Sequence, residues 1–175
     1  VWECTASSVM KCGSGDVFNS GAATGSWVQF SLRNRCQQAT DFAIPVALTY
    51  TYTVSEFDST FDSEFFGGVV NGDPIPYIPS NQATFSGGIE NGDLAVNAAF
   101  NVVDEVCVSA SCGAFEETDS SSTVDLSVRY QVNPDLGIYA RLENATGEED
   151  IVGRQPYGAR PNKDRTASVG MRVSF

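Results

Sequence analysis

Four cationic side chains fall close together towards one end of this chain: Arg154, Arg160, Lys163 and Arg165. Guanidinium groups bind carboxylate or phosphate through two parallel hydrogen bonds, and an ammonium adds a point charge. Such a group could draw in an anionic chelate or a lipopolysaccharide phosphate. The same four could instead pair with acids of their own loop, Glu148, Glu149, Asp150 and Asp164, and fold that loop back on itself. Little other chemistry is on offer. The 175 residues contain no histidine. That removes imidazole metal sites, histidine general bases and Ser-His or Cys-His nucleophile pairs. Asp104-Glu105 and Glu116-Glu117 are adjacent carboxylates with no aromatic cleft signal beside them, which is poor material for a glycosidase. Asp58, Asp62, Glu64 and Asp73 lack the spacing of an EF-hand. Gly13-Ser14-Gly15 has neither the phosphate-loop motif nor a following helix. No catalytic residue, cofactor or metal ligand set is expected, and the chain does not read as an enzyme.

The five cysteines offer a different chemistry. Cys4/Cys12 and Cys107/Cys112 are close pairs in small, polar surroundings, and Cys36 is left over. A zinc site would need four thiolates from distant loops. Two short loop disulfides, Cys4–Cys12 and Cys107–Cys112, are the simpler reading, and they imply an oxidising compartment. The net charge of −12 comes from 22 acids against 10 bases. It excludes a nucleic-acid backbone as partner, since phosphates require basic patches. Between Arg35 and Arg129 there is no Lys or Arg, while acids recur throughout. That stretch could be a rim that holds divalent cations or passes anions on to an arginine-lined pocket. It could equally be a plain solvated surface.

The elements that must position these residues are strands. Apolar and polar residues alternate with period two almost everywhere. Val46, Leu48, Tyr50, Tyr52 and Val54 share one face of a strand. Phe85, Gly87 and Ile89 follow, then Leu94, Val96, Ala98, Phe100 and Val102. Next come Val124, Leu126, Val128 and Tyr130, then Leu136, Ile138, Ala140 and Leu142. Val169, Met171, Val173 and Phe175 close the series. A weaker strand is expected at Val28, Phe30 and Leu32, giving about seven. The connections near 91–93 and 133–135 are tight, whereas those near 58–81, 104–122 and 145–165 are long and read as structureless. Tight turns at one end and long loops at the other suit a transmembrane barrel. A soluble β-sandwich also alternates. However, Asp125, Arg129, Arg141, Glu143 and Arg172 all lie on the polar face and none on the apolar one. Asp125 and Glu143 are each expected to meet an arginine of a neighbouring strand. The composition, 42% hydrophobic and 18% charged, is short of charge for an ordinary soluble surface. No run of ~18 apolar residues exists to make a membrane helix.

The segment from Val124 carries the strand YARLEN (139–144), the loop RQPYGARP (154–161), and Arg165-Thr166 before a closing strand that ends in Phe175. Upstream lie LTYTYTVSEF (48–57) and GDPIPYIPSNQ (72–82). In this order the motifs resemble the C-terminal barrel of TonB-dependent outer-membrane receptors, in the ferric-citrate and siderophore branch. The resemblance covers 41–175. Residues 1–40 depart from it, reading as a divergent extracellular loop and an uncertain first strand. The resemblance implies an all-β, antiparallel up-and-down meander of about seven strands, part of a transmembrane β-barrel of about 22 strands. It implies a bacterial outer-membrane location with a periplasmic C-terminus. The chain is then expected to be a fragment of a transporter for ferric siderophores or ferric-citrate-type chelates. Lacking the plug, it would not be transport-competent alone. Ferric chelate and TonB would be partners only of the full-length receptor; lipid, lipopolysaccharide and the barrel-assembly machinery would be partners of this part. Val169, Met171, Val173 and Phe175 resemble the terminal strand that the assembly machinery reads. The alternative is a stand-alone structural or adhesive outer-membrane β-barrel protein.

Overall fold

The computed structural model describes residues 22–37, 41–63, 66–113, 115–154 and 158–175. Every element among them is a strand. Seven form one sheet: β1 (Ala23–Gln37), β2 (Ala43–Phe57), β5 (Asn81–Glu90), β6 (Leu94–Val103), β7 (Ser121–Asn133), β8 (Leu136–Glu143) and β11 (Thr166–Val173). Their order in the sheet is the order in the chain, and every neighbouring pair is antiparallel. Among the described residues no second large sheet accompanies this one. The remaining pairs, β3 (Phe61–Ser63) with β4 (Gly67–Val69) and β9 (Ile151–Gly153) with β10 (Arg160–Pro161), are short ribbons in the long connections. The sandwich arrangement is therefore absent from the described residues.

Two of the tight turns are built by the same device. The Asn91 side-chain oxygen accepts from the amides of Asp93 (3.0 Å) and Leu94 (2.7 Å). Asn133 does the same for Asp135 (3.0 Å) and Leu136 (2.9 Å). An Asn side chain mimics a backbone turn in this way and reverses the strand within a few residues. The turn fixes the register, and the register fixes the faces.

Directly paired residues share a face. On the polar face the rows read Ser86–Ala99–Asp125, Asn97–Ser127–Arg141–Ser168 and Ala95–Arg129–Tyr139–Gly170. The alternate rows, such as Phe85–Phe100–Val124 and Val96–Val128–Ala140–Val169, are apolar. The parity read from the sequence holds across the whole sheet. Only at the long-loop end of β2 does a charge, Glu56, take the apolar parity, opposite Thr24.

β1 is far more extensive than three alternating positions suggest. It pairs with β2 residue for residue, from Ala23 opposite Phe57 to Gln37 opposite Ala43. Its polar side chains, Gln29, Ser31 and Arg33, interrupt the hydrophobic pattern, but they take the face where polarity belongs.

The sheet has almost no core of its own. Val28, Phe30, Phe85, Val128, Val169 and Met171 are all exposed, Val169 to 83%. The compact apolar cluster sits instead among the loops, where Phe57, Val69 and Ala110 are buried and Phe61, Phe66 and Ile75 pack around them. No helix long and apolar enough to cross a membrane occurs among the described residues.

Candidate functional site: the end carrying the long loops

The three long connections do not hang free. They fold on one another into a cap at one end of the sheet. In the first, the Phe57 amide donates to Asp73 O (2.9 Å) and Gly72 N returns a bond to Phe57 O (2.8 Å). Phe57 and Phe61 meet edge to face with ring centroids 5.5 Å apart, a favoured aromatic geometry.

The second loop is tied by the disulfide Cys107–Cys112. The loop it closes presents Ala110, 1% exposed, to the aromatic cluster of the first loop. Ala110 N donates to Phe66 O at 3.3 Å, and Tyr77 N donates to Cys107 O at 2.9 Å. Glu116 braces the same loop. Its carboxylate accepts from Ser109 Oγ (2.5 Å), the Gly113 amide (3.0 Å) and Ser111 Oγ (3.2 Å). These donors, Ser109 first, hold the Glu116 carboxyl below its ordinary range, because each favours the charged form. Cys107, Cys112 and Glu117 come close enough to suggest a metal site. With both sulfurs joined to each other, no thiolate is left to bind an ion.

The third loop turns on Asn144, which is 4% exposed and has φ of +49°. Asn tolerates this left-handed conformation better than most residues. Its amide nitrogen donates to Glu148 O (2.8 Å) and Lys163 O (3.0 Å), so it staples the loop's two limbs together. Its side-chain oxygen accepts from Thr146 Oγ1 and from the amides of Gly147 and Glu148. The strand pattern of the sequence does not reveal this hub. The run Asn-x-x-Gly, a turn signal, could have revealed it.

The basic group is distributed over this cap. Arg154 Nε donates to Glu117 O at 2.6 Å and so bridges the third loop to the second. Lys163 pairs with Glu143 at 2.5 Å, and Arg165 donates to Thr146 O at 3.0 Å. Arg160 lies in β10 opposite Gly153. Arg154, Lys163 and Arg165 thus grip their own chain, through carbonyls and a strand carboxylate. The Asp150 carboxylate accepts from the Asn162 side-chain amide at 3.4 Å.

The strand carboxylates also differ from expectation in their partners. Glu143 has Arg141 of its own strand at 3.5 Å, together with Lys163 of the loop. Among the described residues Asp125 makes no ion pair with an arginine. It accepts from the Asn144 amide at 3.0 Å and the Asn101 side chain at 3.5 Å. The reason is its height on the sheet. Asp125 sits level with the exit of β8, where the chain's freed amides need an acceptor. Arg35, on β1, reaches over β2 to Glu90 at 2.8 Å. Cys36 is a free, exposed thiol. Cys4 and Cys12 lie outside the described residues. Val169, Met171 and Val173 occupy the apolar face of β11, and Phe175 follows it, fully exposed.

A family model described as TonB dependent receptor-like, beta-barrel matches residues 15–145. Among solved structures, the siderophore receptor PiuA from Acinetobacter baumannii superposes with a TM-score of 0.67 at 20% identity, covering 85% of this chain and 22% of that one. The copper transporter OprC gives 0.59 at 17% identity, with 86% and 24% covered. The ferric yersiniabactin uptake receptor FyuA from Yersinia pestis gives 0.53 at 16% identity, with 86% and 30% covered. This chain therefore spans between about a fifth and a third of the solved chains it matches. No curated protein sequence gives a significant match.

Proposed function

The chain belongs to the TonB-dependent receptor β-barrel family, and from that premise we propose that it forms wall and loop cap of an outer-membrane transporter for ferric siderophores or ferric-citrate-type chelates. The observation that carries the reading is the match over 15–145, on a sheet whose one face is apolar except at its long-loop end, with its large apolar side chains exposed. In a lipid bilayer that face meets acyl chains, and the polar face lines the lumen. Residues 41–175 supply the C-terminal strands of the barrel in this reading. The tight turns and Phe175 face the periplasm, and the long-loop cap faces outward. Val169, Met171, Val173 and Phe175 present the terminal signal to the assembly machinery. The cap's basic residues, Arg154, Arg160, Lys163 and Arg165, face lipopolysaccharide phosphate or an incoming chelate. TonB engages the complete receptor. The disulfide in the cap and the proposed Cys4–Cys12 bridge suit an oxidising exterior.

Uptake of radiolabelled iron tests this. Disrupting the coding segment in the producing bacterium should lower uptake of ferric citrate or a ferric siderophore under iron limitation. Unchanged uptake of every ferric chelate, with loss of copper accumulation instead, would overturn the iron assignment and leave the barrel.

A further inference from the structure

The second loop gathers a set of donor atoms that the transport reading leaves unused. The sulfurs of Cys107 and Cys112 and a carboxylate oxygen of Glu117 all lie within 4.8 Å of one another. Pairing explains how they meet. Cys107 lies opposite Glu117 in an isolated antiparallel bridge, which sets both side chains on one side of the loop. Cys112 returns to Cys107 with the two Cα atoms 5.2 Å apart. The cysteines are half-buried and Glu117 is exposed, so solvent reaches the group. A zinc site made of thiolates alone would have to draw on distant loops. Here a neighbouring carboxylate supplies the third donor.

This loop is held by more than its sulfur–sulfur bond. Val108 N donates to Glu116 O at 2.7 Å and Thr118 N to Val106 O at 2.9 Å, two rungs that bracket the Cys107–Glu117 pair. Between such rungs opposed side chains come closest. Val106 N also donates to Thr118 Oγ1 at 2.9 Å. Across the tip, the Glu116 carboxylate gathers Ser109, Ser111 and Gly113. Ala110 is anchored in the aromatic cluster, and Arg154 grips the Glu117 carbonyl. A bond that closes so short a loop removes comparatively little freedom from the unfolded chain. Breaking it leaves two thiols and a carboxylate already gathered on a braced backbone.

We propose that the reduced loop is a site for a thiophilic divalent cation such as zinc, held by the Cys107 and Cys112 thiolates and the Glu117 carboxylate, with the fourth tetrahedral position left to water. The disulfide is the closed state of this site, and reduction opens it. A small-molecule thiol is the reductant. Two of its molecules join as a disulfide, and their two electrons and two protons pass to Cys107 and Cys112. The cation then displaces both thiol protons into solvent. Two sulfurs select such an ion over calcium or magnesium, which take oxygen donors. In an oxidising exterior the site stays closed until a thiol reaches it. It goes beyond the transport reading, because it needs only the folded cap.

The test uses the 175-residue chain in detergent micelles, with Cys4, Cys12 and Cys36 replaced by Ser so that a single cysteine pair remains. Cobalt, whose charge-transfer band reports thiolate ligation, is titrated into the phosphine-reduced and the oxidised chain. Zinc is then added in competition. The reduced chain should bind a single cobalt with the band present, zinc should displace it, and the oxidised chain should show no band. Glu117→Gln should weaken binding roughly tenfold or more, and Cys112→Ser should abolish the band. Glu105→Gln, an exposed acid of the same loop, should bind as the parent does. Circular dichroism confirms that each variant is folded. A folded, reduced chain that binds no cobalt would overturn the site, as would equal binding by Cys112→Ser or by the oxidised chain. Undiminished affinity in Glu117→Gln would overturn the carboxylate's place in it. Iron uptake plays no part in these measurements, so failure here and failure of the transport reading remain distinct.

Discussion

Asn144 concentrates more of the cap's organisation than any charged residue does. It is buried, sits at positive φ and bonds to both limbs of the third loop. Asn144→Ala strands those backbone groups and strains the turn, which should cost about 2–3 kcal/mol. Amide exchange across 145–165 should quicken while β7 and β8 stay protected. Glu116 predicts a pH response in the second loop. Its folded pKa lies below the ordinary value of 4.5, so its contribution is fully present above that value. It is lost as pH falls through the depressed one. Exchange at 108–113 should therefore accelerate only in acid, and Glu116→Gln should remove that acid step. If the step survives the substitution, another group is responsible. Neither role was legible in the sequence. Glu116 appeared there as one half of an unconvincing carboxylate pair, because its serine and amide donors become neighbours only when the disulfide loop closes. The basic residues were visible as a group. Two of their partners, the carbonyls of Glu117 and Thr146, carry no sequence signature at all.

Strand parity, by contrast, was readable almost to the residue, because a period of two repeats over whole strands and a slip of one would invert every side chain. Ala98 and Ala99 of β6 make this testable. Ala98 faces outward opposite Leu126, and Ala99 lies opposite Asp125. Ala98→Lys places a charge against acyl chains and should destabilise the sheet by ~2–4 kcal/mol if near the bilayer midplane. Ala99→Lys sets the same charge beside a carboxylate and should be close to neutral. Urea titrations in phospholipid vesicles give both values, and equal costs would reject the assignment of faces. The elements that escaped the sequence are the short ones. β3–β4 and β9–β10 are ribbons of two or three residues per strand, too brief to show a period, and the loops holding them looked structureless. β1 was visible only in its middle. Its remaining length follows from pairing with β2, a tertiary cause that no local pattern records.

At the scale of the molecule, folding has put the apolar cluster in the loops and left the sheet's apolar face bare. In water that face and the unpaired backbone edges invite association. The chain should sediment as heterogeneous aggregates without detergent and as a discrete particle in micelles. A single 18.7 kDa species in plain buffer would contradict the membrane reading. The strand count carries a consequence of its own. Seven antiparallel strands are an odd number, so β1 and β11, at opposite margins of the sheet, run in the same direction. Rolling the sheet up would bring them together parallel, and a ring of identical copies would repeat that parallel seam at every junction. A wholly antiparallel cylinder needs an odd number of further strands, the one beside β11 running from the tight-turn end towards the loops. The direction of that neighbouring strand is thereby set, and identical copies of this sheet alone cannot supply it.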